Sequence, residues 1–189
     1  ALPNEAIDRI FAVMAACPQH TFMVLTKRAE RMRMILSRPG WWNDHAEMRS
    51  HVWLGVSVED CVAKYRIDHL RETPAALRFL SLEPLLEGLG ELDLRGIGWV
   101  ILGGESGPGA RPCRVEWVRS VIAQCKEAGA NCFTKQLGAC VEGDPDEFPT
   151  ATHDEGDGHR TFRLIDRKGG DPSEWPEDIR VRQMPEATQ

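Results

Sequence analysis

The chain has 189 residues, 42% hydrophobic and 28% charged, enough for one domain with a sizeable core or a domain plus a tail. A formal charge of −6 excludes a broadly basic, nucleic-acid-coating protein. No apolar run approaches the roughly 18 residues of a spanning helix, and no basic segment leads into an apolar core as in a secretory signal. A cytoplasmic protein with no membrane partner is expected.

Charge is unevenly spread. Residues 1–140 carry 17 basic and 16 acidic side chains, whereas 141–189 carry 6 and 13. The first part reads as the folded body and the second, rich in Gly, Pro and Asp, as a mostly irregular extension. Six cysteines are present, with no Cys-x-x-Cys pair and no zinc-finger spacing to histidine. They read as free thiols, and no metal site is expected. The first residue is Ala1, as in a processed chain or a piece of a longer one.

In chain order, residues 4–16 read as a helix from the spacing of Ile7, Ile10, Phe11 and Met14, with Asn4 as N-cap and Pro18 as stop. Residues 21–26 are a short apolar strand. Ala29 to Leu36 is a helix ended by Pro39-Gly40, and Trp41 to Ser50 is a polar loop. Val52 to Val58 is the second strand, and 60–71 a helix capped by Asp60. Leu77 to Leu82 is the third strand, closed by Pro84, and Leu85 to Leu94 takes no clear assignment. Gly98 to Leu102 is the fourth strand. Val115 to Ala128 is the clearest helix, with Val115, Val118, Ile122 and Cys125 on one face and Gly129 as its end. Asn131 to Lys135 is the fifth strand. In the extension, Phe162, Leu164, Ile165 and the run Ile179 to Val181 suggest short edge strands, and Trp175 an anchor.

This alternation predicts an α/β fold with a mostly parallel sheet and right-handed crossovers. An open doubly wound sheet and a partial β/α barrel both satisfy it. Each strand is apolar inside and polar at its C-terminal end. The first runs into Lys27 and Arg28, the second into Ser57 and Glu59, and the third into Ser81 and Glu83. The fourth runs into Gly104, Glu105 and Ser106, and the fifth into Lys135 and Gln136. In parallel α/β folds these ends share one edge, where ligand sites form. A polar crater for a small-molecule ligand is therefore expected there.

The segment Gly103 to Arg111 follows a strand and precedes a helix, as anion-cradling loops do. Ala110-Arg111 stands where a nucleotide loop needs Lys-Ser/Thr, so the triphosphate reading fails, as does the dinucleotide pattern. A small-ligand loop or a purely structural turn remains. Glu83 and Glu105 end consecutive strands and form a candidate carboxylate pair for acid/base chemistry. Trp41 and Trp42 either stack on a ligand or cover a core edge. Tyr65 reads as helix packing. Arg28, Arg31, Arg33 and Arg38 either contact phosphates or form a solvated helix face.

Six segments carry a family resemblance: PQHTFMVLTKR at 18–28, VWLGVSVE at 52–59, RFLSLEPLL at 78–86, WVILGGESG at 99–107, FTKQLG at 133–138 and KGGDPSEWP at 168–176. Together they resemble an uncharacterised family of phage and prophage proteins described as radical-S-adenosylmethionine-like. The resemblance implies a partial β/α barrel of the TIM type, with S-adenosylmethionine as cofactor. In longer members it also implies an upstream cysteine cluster holding an iron–sulfur centre, followed by another strand. None of the cysteines here has that close triple spacing, so no cofactor is assigned to this chain alone.

The leading expectation is thus the C-terminal part of a radical-type enzyme. Glu83 and Glu105 are its candidate catalytic residues. Lys27, Arg28, Ser57, Glu59, Ser81, Gly104, Ser106, Arg111, Lys135 and Gln136 are its candidate ligand-binding residues. A nucleic-acid or phage-partner binding module and a metal-independent hydrolase using the paired glutamates are the alternatives. A barrel short of strands would also leave sheet edges through which the chain could form a homodimer.

Overall fold

Short apolar strands separated by amphipathic helices leave the chain one economical arrangement, because each helix returns it to the starting edge of the sheet. The computed structural model describes residues 2–41, 50–153 and 161–186. Its first half runs α1 (Asn4–Ala15), β1 (Phe22–Thr26), α2 (Ala29–Leu36), β2 (Val52–Ser57), a 3-10 turn (Cys61–Lys64), α3 (Tyr65–Arg71) and β3 (Leu77–Leu82). There follow β4 (Trp99–Gly103), β5 (Cys113–Arg114), α4 (Val115–Ala128), β6 (Asn131–Gln136), β7 (Val141–Glu142), β8 (Thr152–His153) and β9 (Thr161–Arg163).

The main sheet has the order β1-β2-β3-β4-β6, every pair parallel. The mixed α/β class with alternating helices is therefore as expected. Strand order follows chain order without reversal, so the sheet has no switch point of the doubly wound kind.

The pleat sorts side chains onto two faces. Val52, Leu54, Val56, Leu80, Leu82, Val100 and Leu102 join residues of the four described α-helices in one core. The opposite face carries Trp53, Phe79 and Trp99, with Leu77, Ile101 and Phe133 against them. Trp99 sits edge-on to Trp53 and Phe133, at ring separations of 6.1 and 6.2 Å. Gly55 makes this packing possible: a Cβ there would lie 2.4 Å from the Phe79 ring.

Local signals mostly set the ends of elements. Asp60 caps the 3-10 turn, accepting from the Ala63 amide at 2.8 Å, and Gly129 ends α4 at φ 69°. Asn4 does not cap α1. Pro3 holds the cap position, and Asn4 accepts instead from Arg31 at 3.1 Å. Leu85, Leu89, Leu92 and Leu94 are buried without belonging to a helix or strand.

The segment beyond residue 140 supplies β7, β8 and β9, which join β5 in a second sheet of order β5-β7-β9-β8. Val141, Phe148, Phe162, Trp175 and Ile179 are part of the main core. The last described residues cover the outer edge of β6: the Thr134 amide donates to Val181 at 2.7 Å and the Gln183 amide to Cys132 at 2.8 Å. Arg182 lies over both the Phe133 and Trp175 rings and donates to the carbonyls of Thr134, Lys135 and Gly170. Arg119 of α4 reaches the same segment, bonding Glu147 and Asp178. No helix among the described residues is long and apolar enough to cross a membrane.

Candidate functional site

The C-terminal edge of the main sheet gathers residues far apart in the sequence, and they stack in layers above the aromatic face. Ser57 and Ser81 are register partners on β2 and β3. By strand alternation they share the face of Trp53 and Phe79. Each is about 95% buried, at 5% exposure. Among the described residues neither hydroxyl has a hydrogen-bond partner.

Charged residues form the next layer. Lys27, just past β1, pairs with Glu59, just past β2. Arg66 of α3 bonds the other Glu59 oxygen at 2.9 Å and the Ser57 carbonyl at 2.7 Å. Burial pushes the Glu59 carboxyl up, but the hydrogen bond and charge of Lys27, with help from Arg66, carry it below its ordinary value. Glu83, just past β3, pairs with Lys135 of β6 at 2.9 Å. Strand β4 lies between them and ends in Gly103, where a Cβ would come within 2.9 Å of the Gln136 carbonyl. The Glu83–Pro84 peptide is cis.

The glycine loop after β4 adds a third ion pair. The Arg111 guanidinium forks onto Glu105 with two bonds of 2.9 Å, and the Arg111 amide adds a third at 3.0 Å. These bonds hold the Glu105 carboxyl down at about 2. A carboxylate so held stays ionised and ties the loop together through Arg111. Three of the loop amides bond within the protein: Gly104 donates to Gln136, Ala110 to Gly107 and Arg111 to Glu105. Gln136 returns a side-chain bond to the Gly104 carbonyl at 3.0 Å. Ser106 and Arg28 are exposed.

These pairs carry a signed pH dependence. Glu59 and Glu105 both titrate below the ordinary value of 4.5 in the folded chain. Their stabilisation is complete above that value and is lost as pH falls from it toward about 2. The melting temperature should therefore decline through this window. Glu105→Gln should flatten the decline when melting is followed by circular dichroism across the pH series. An unchanged slope would show that the Arg111 pair contributes nothing to stability.

Of the residues expected at the crater, Lys27, Ser57, Glu59, Ser81, Glu83 and Lys135 form the layered cluster. Gly104, Glu105, Arg111 and Gln136 form the adjoining loop. Arg66 went unnoticed in the sequence. The one available signal was its place on the helix directly after a strand with a polar end. Tyr65 is half-exposed beside the cluster rather than packed, with Arg66 5.9 Å from its ring.

The arginines of α2 and its exit serve the fold. Arg31 bonds Leu2 and Asn4, Arg33 pairs with Glu72, and Arg38 bonds Asp8 at 2.6 Å. Trp41 is buried edge-on to Phe11 at 5.1 Å, while Trp42 lies outside the described residues. Among the described residues no group of three or more His, Cys, Asp or Glu is placed to hold a metal ion.

Fold and site together define an α/β protein with a polar cluster at the C-terminal edge of a parallel sheet. The chain belongs to a protein family of unknown function (DUF5131), whose pattern matches residues 1–171. The expected membership of an uncharacterised family is thus met. No curated protein and no solved structure matches the chain.

Proposed function

We propose that the cluster above Trp53 and Phe79 binds a small polar ligand, and that the chain is the larger part of a partial β/α barrel of the radical-S-adenosylmethionine type, from a cytoplasmic phage or prophage protein. One observation carries the ligand reading. Ser57 and Ser81 are residues nine-tenths buried, and among the described residues their hydroxyls have no hydrogen-bond partner, at the strand ends that carry two ion-paired carboxylates. Neither oxygen is among the fully buried polar atoms left without a partner, so each keeps some open surface, where a ligand hydroxyl, amine or carbonyl can bond it. The unreversed strand order supports the barrel reading, since it is how such barrels wind. The body 1–140 holds the site, and the extension 141–189 braces the strand that carries Lys135.

S-adenosylmethionine is the cofactor that the family resemblance implies. The donor set suits it: Lys27, Lys135 and Arg66 for an anionic end, Glu59 and Glu83 for an ammonium or a diol, and the serines for neutral polar groups. When bound, it would supply a sulfonium centre. This chain's own residues would orient the ligand and neutralise its charges. An iron–sulfur cluster does not fit the residues described. Cys113, Cys125 and Cys132 are buried thiols, Cys61 is exposed with its Sγ bonded to the Gly88 carbonyl, and no three thiols converge.

Titration calorimetry with S-adenosylmethionine tests the reading. Binding by the wild-type chain is expected, with Glu83→Gln and Ser81→Ala each weakening it about tenfold or more, the loss of one buried hydrogen bond. Melting temperatures should stay within a few degrees. If the wild-type chain shows no binding heat, the reading fails. If both variants unfold, the two residues are structural.

A further inference from the structure

The two lysine–glutamate pairs at the sheet edge differ in what each can release. Lys27–Glu59 joins the ends of the neighbouring strands β1 and β2, while Lys135–Glu83 reaches across β4 from β6 to β3. At about 4.8 Å per strand, the pairs are centred roughly 10 Å apart along the edge. Ser57 and Ser81 lie on the two strands between those centres. We propose, resting on the ligand reading of this cluster, that it takes an extended zwitterion: a carboxylate at Lys27, an ammonium at Glu83 and a neutral polar group over the serines.

The direction follows from what each exchange leaves behind. Glu59 has two cationic partners. A ligand carboxylate can draw Lys27 away while Arg66 keeps its 2.9 Å bond to Glu59. Glu83 has a single cationic partner among the described residues, Lys135. A carboxylate that drew Lys135 away would leave the Glu83 side chain, only 15% exposed, without a countercharge, and an unpaired charge so placed is strongly unfavourable. An ammonium does the opposite. It takes over the Glu83 carboxylate, and Lys135, 56% exposed, turns into water, where an exposed ion pair gives up little. At Glu59 the same ammonium would sit beside the Arg66 guanidinium and meet like charge. The β1–β2 end therefore favours an anion and the β3–β6 end a cation.

Length and the middle of the site narrow the class. Serine hydroxyls both donate and accept, so Ser57 and Ser81 suit an amide or a hydroxyl. Three extended residues span about 10 Å, the separation of the two pairs. An α-amino acid, whose charged groups share one carbon, cannot reach both. The ligand is thus a short chain with its charges at opposite ends, of the length of a tripeptide.

Titration of the full, nitrogen-15-labelled chain with triglycine, N-acetyltriglycine and triglycinamide, followed in the amide spectrum, tests the proposal. Triglycine should shift the amides of Ser57, Ser81 and Glu83. Blocking either charged end should weaken binding about tenfold. Glu83→Gln should abolish the effect of acetylation. Lys27→Met should abolish the effect of amidation, and it leaves Glu59 paired with Arg66. Equal affinity for the three peptides overturns the proposal but leaves a ligand site. Binding of S-adenosylmethionine without binding of triglycine does the same. A preference for triglycine that persists in both variants also overturns it, since the charged ends are then read elsewhere. If none of the four compounds shifts those amides, the ligand reading itself fails as well.

Discussion

Gly104→Ala is expected to destabilise the protein by about 3 kcal/mol or more, at the top of the range for inserting one methyl group into packed structure. A Cβ at this position would sit 2.0 Å from the Leu137 carbonyl oxygen, 2.6 Å from its carbon and 2.9 Å from the Cys113 Cβ. The obstacle is backbone, which cannot rotate aside as a side chain could. The loop is also held from several directions. Gly104 donates to Gln136 at 2.9 Å, Ala139 to the Glu105 carbonyl at 2.8 Å and Leu137 to Gly169 at 2.8 Å. Gly138 and Gly169 extend the same stack: a Cβ on either would lie 2.5 Å from a neighbouring carbonyl, and both have positive φ. Three loops thus pack backbone to backbone because each carries glycine at the contact. Thermal melting should fall by on the order of 10 °C in Gly104→Ala. By contrast, Gly107→Ala meets no atom within 4 Å and strains only its φ of 103°. Equal losses in the two variants would show that strain, rather than the clash, governs the loop.

Trp175→Ala should remove about 3–5 kcal/mol, the usual effect of emptying a large aromatic site in a core. Trp175 is 1% exposed and belongs to the main core although it lies far beyond the sheet in sequence. Arg182 stacks on its ring at 5.2 Å, and Arg180 bonds its carbonyl through Nε at 2.8 Å and Nη2 at 2.6 Å. Losing the ring would loosen Arg182, and with it the contact that closes the edge of β6. Among the described residues the indole N–H has no hydrogen-bond partner despite its burial. Trp175→Phe therefore forfeits volume but no hydrogen bond, and should cost less than half as much as the alanine change. Chemical denaturation of the three proteins checks this order. Hydrogen exchange should show that Thr134 and Gln183, whose amides bond across that edge, lose protection in Trp175→Ala first. A Trp175→Ala protein as stable as the wild type would mean that the segment is not part of the cooperative core.

The same contacts link stability to the site. Lys135 leaves the sheet on β6, so whatever closes the β6 edge also fixes the Lys135–Glu83 pair. A ligand at the serine layer would feel damage to the C-terminal segment through this strand, with no direct contact.

Much of this was legible in the sequence by itself. Strand and helix positions follow from periods of two and 3.6, which are local, and the main-sheet strands and long helices fall within a residue or two of expectation. Polar residues at every strand end placed Ser57, Glu59, Ser81, Glu83 and Lys135 on one edge before any contact was known, because parallel strands share a direction. Tertiary structure decided what those residues do there. Lys27 is given to Glu59, Lys135 reaches Glu83 across a glycine strand end, and the serines are left unspent. Each such pairing joins residues about 25 to 50 positions apart, beyond any local pattern. The arginines of α2 look free in the sequence and are committed in the fold for the same reason. The second sheet was least legible. Its strands are two or three residues long, too short to show a period, and they exist only because the core behind them holds Phe148, Phe162 and Trp175 in place.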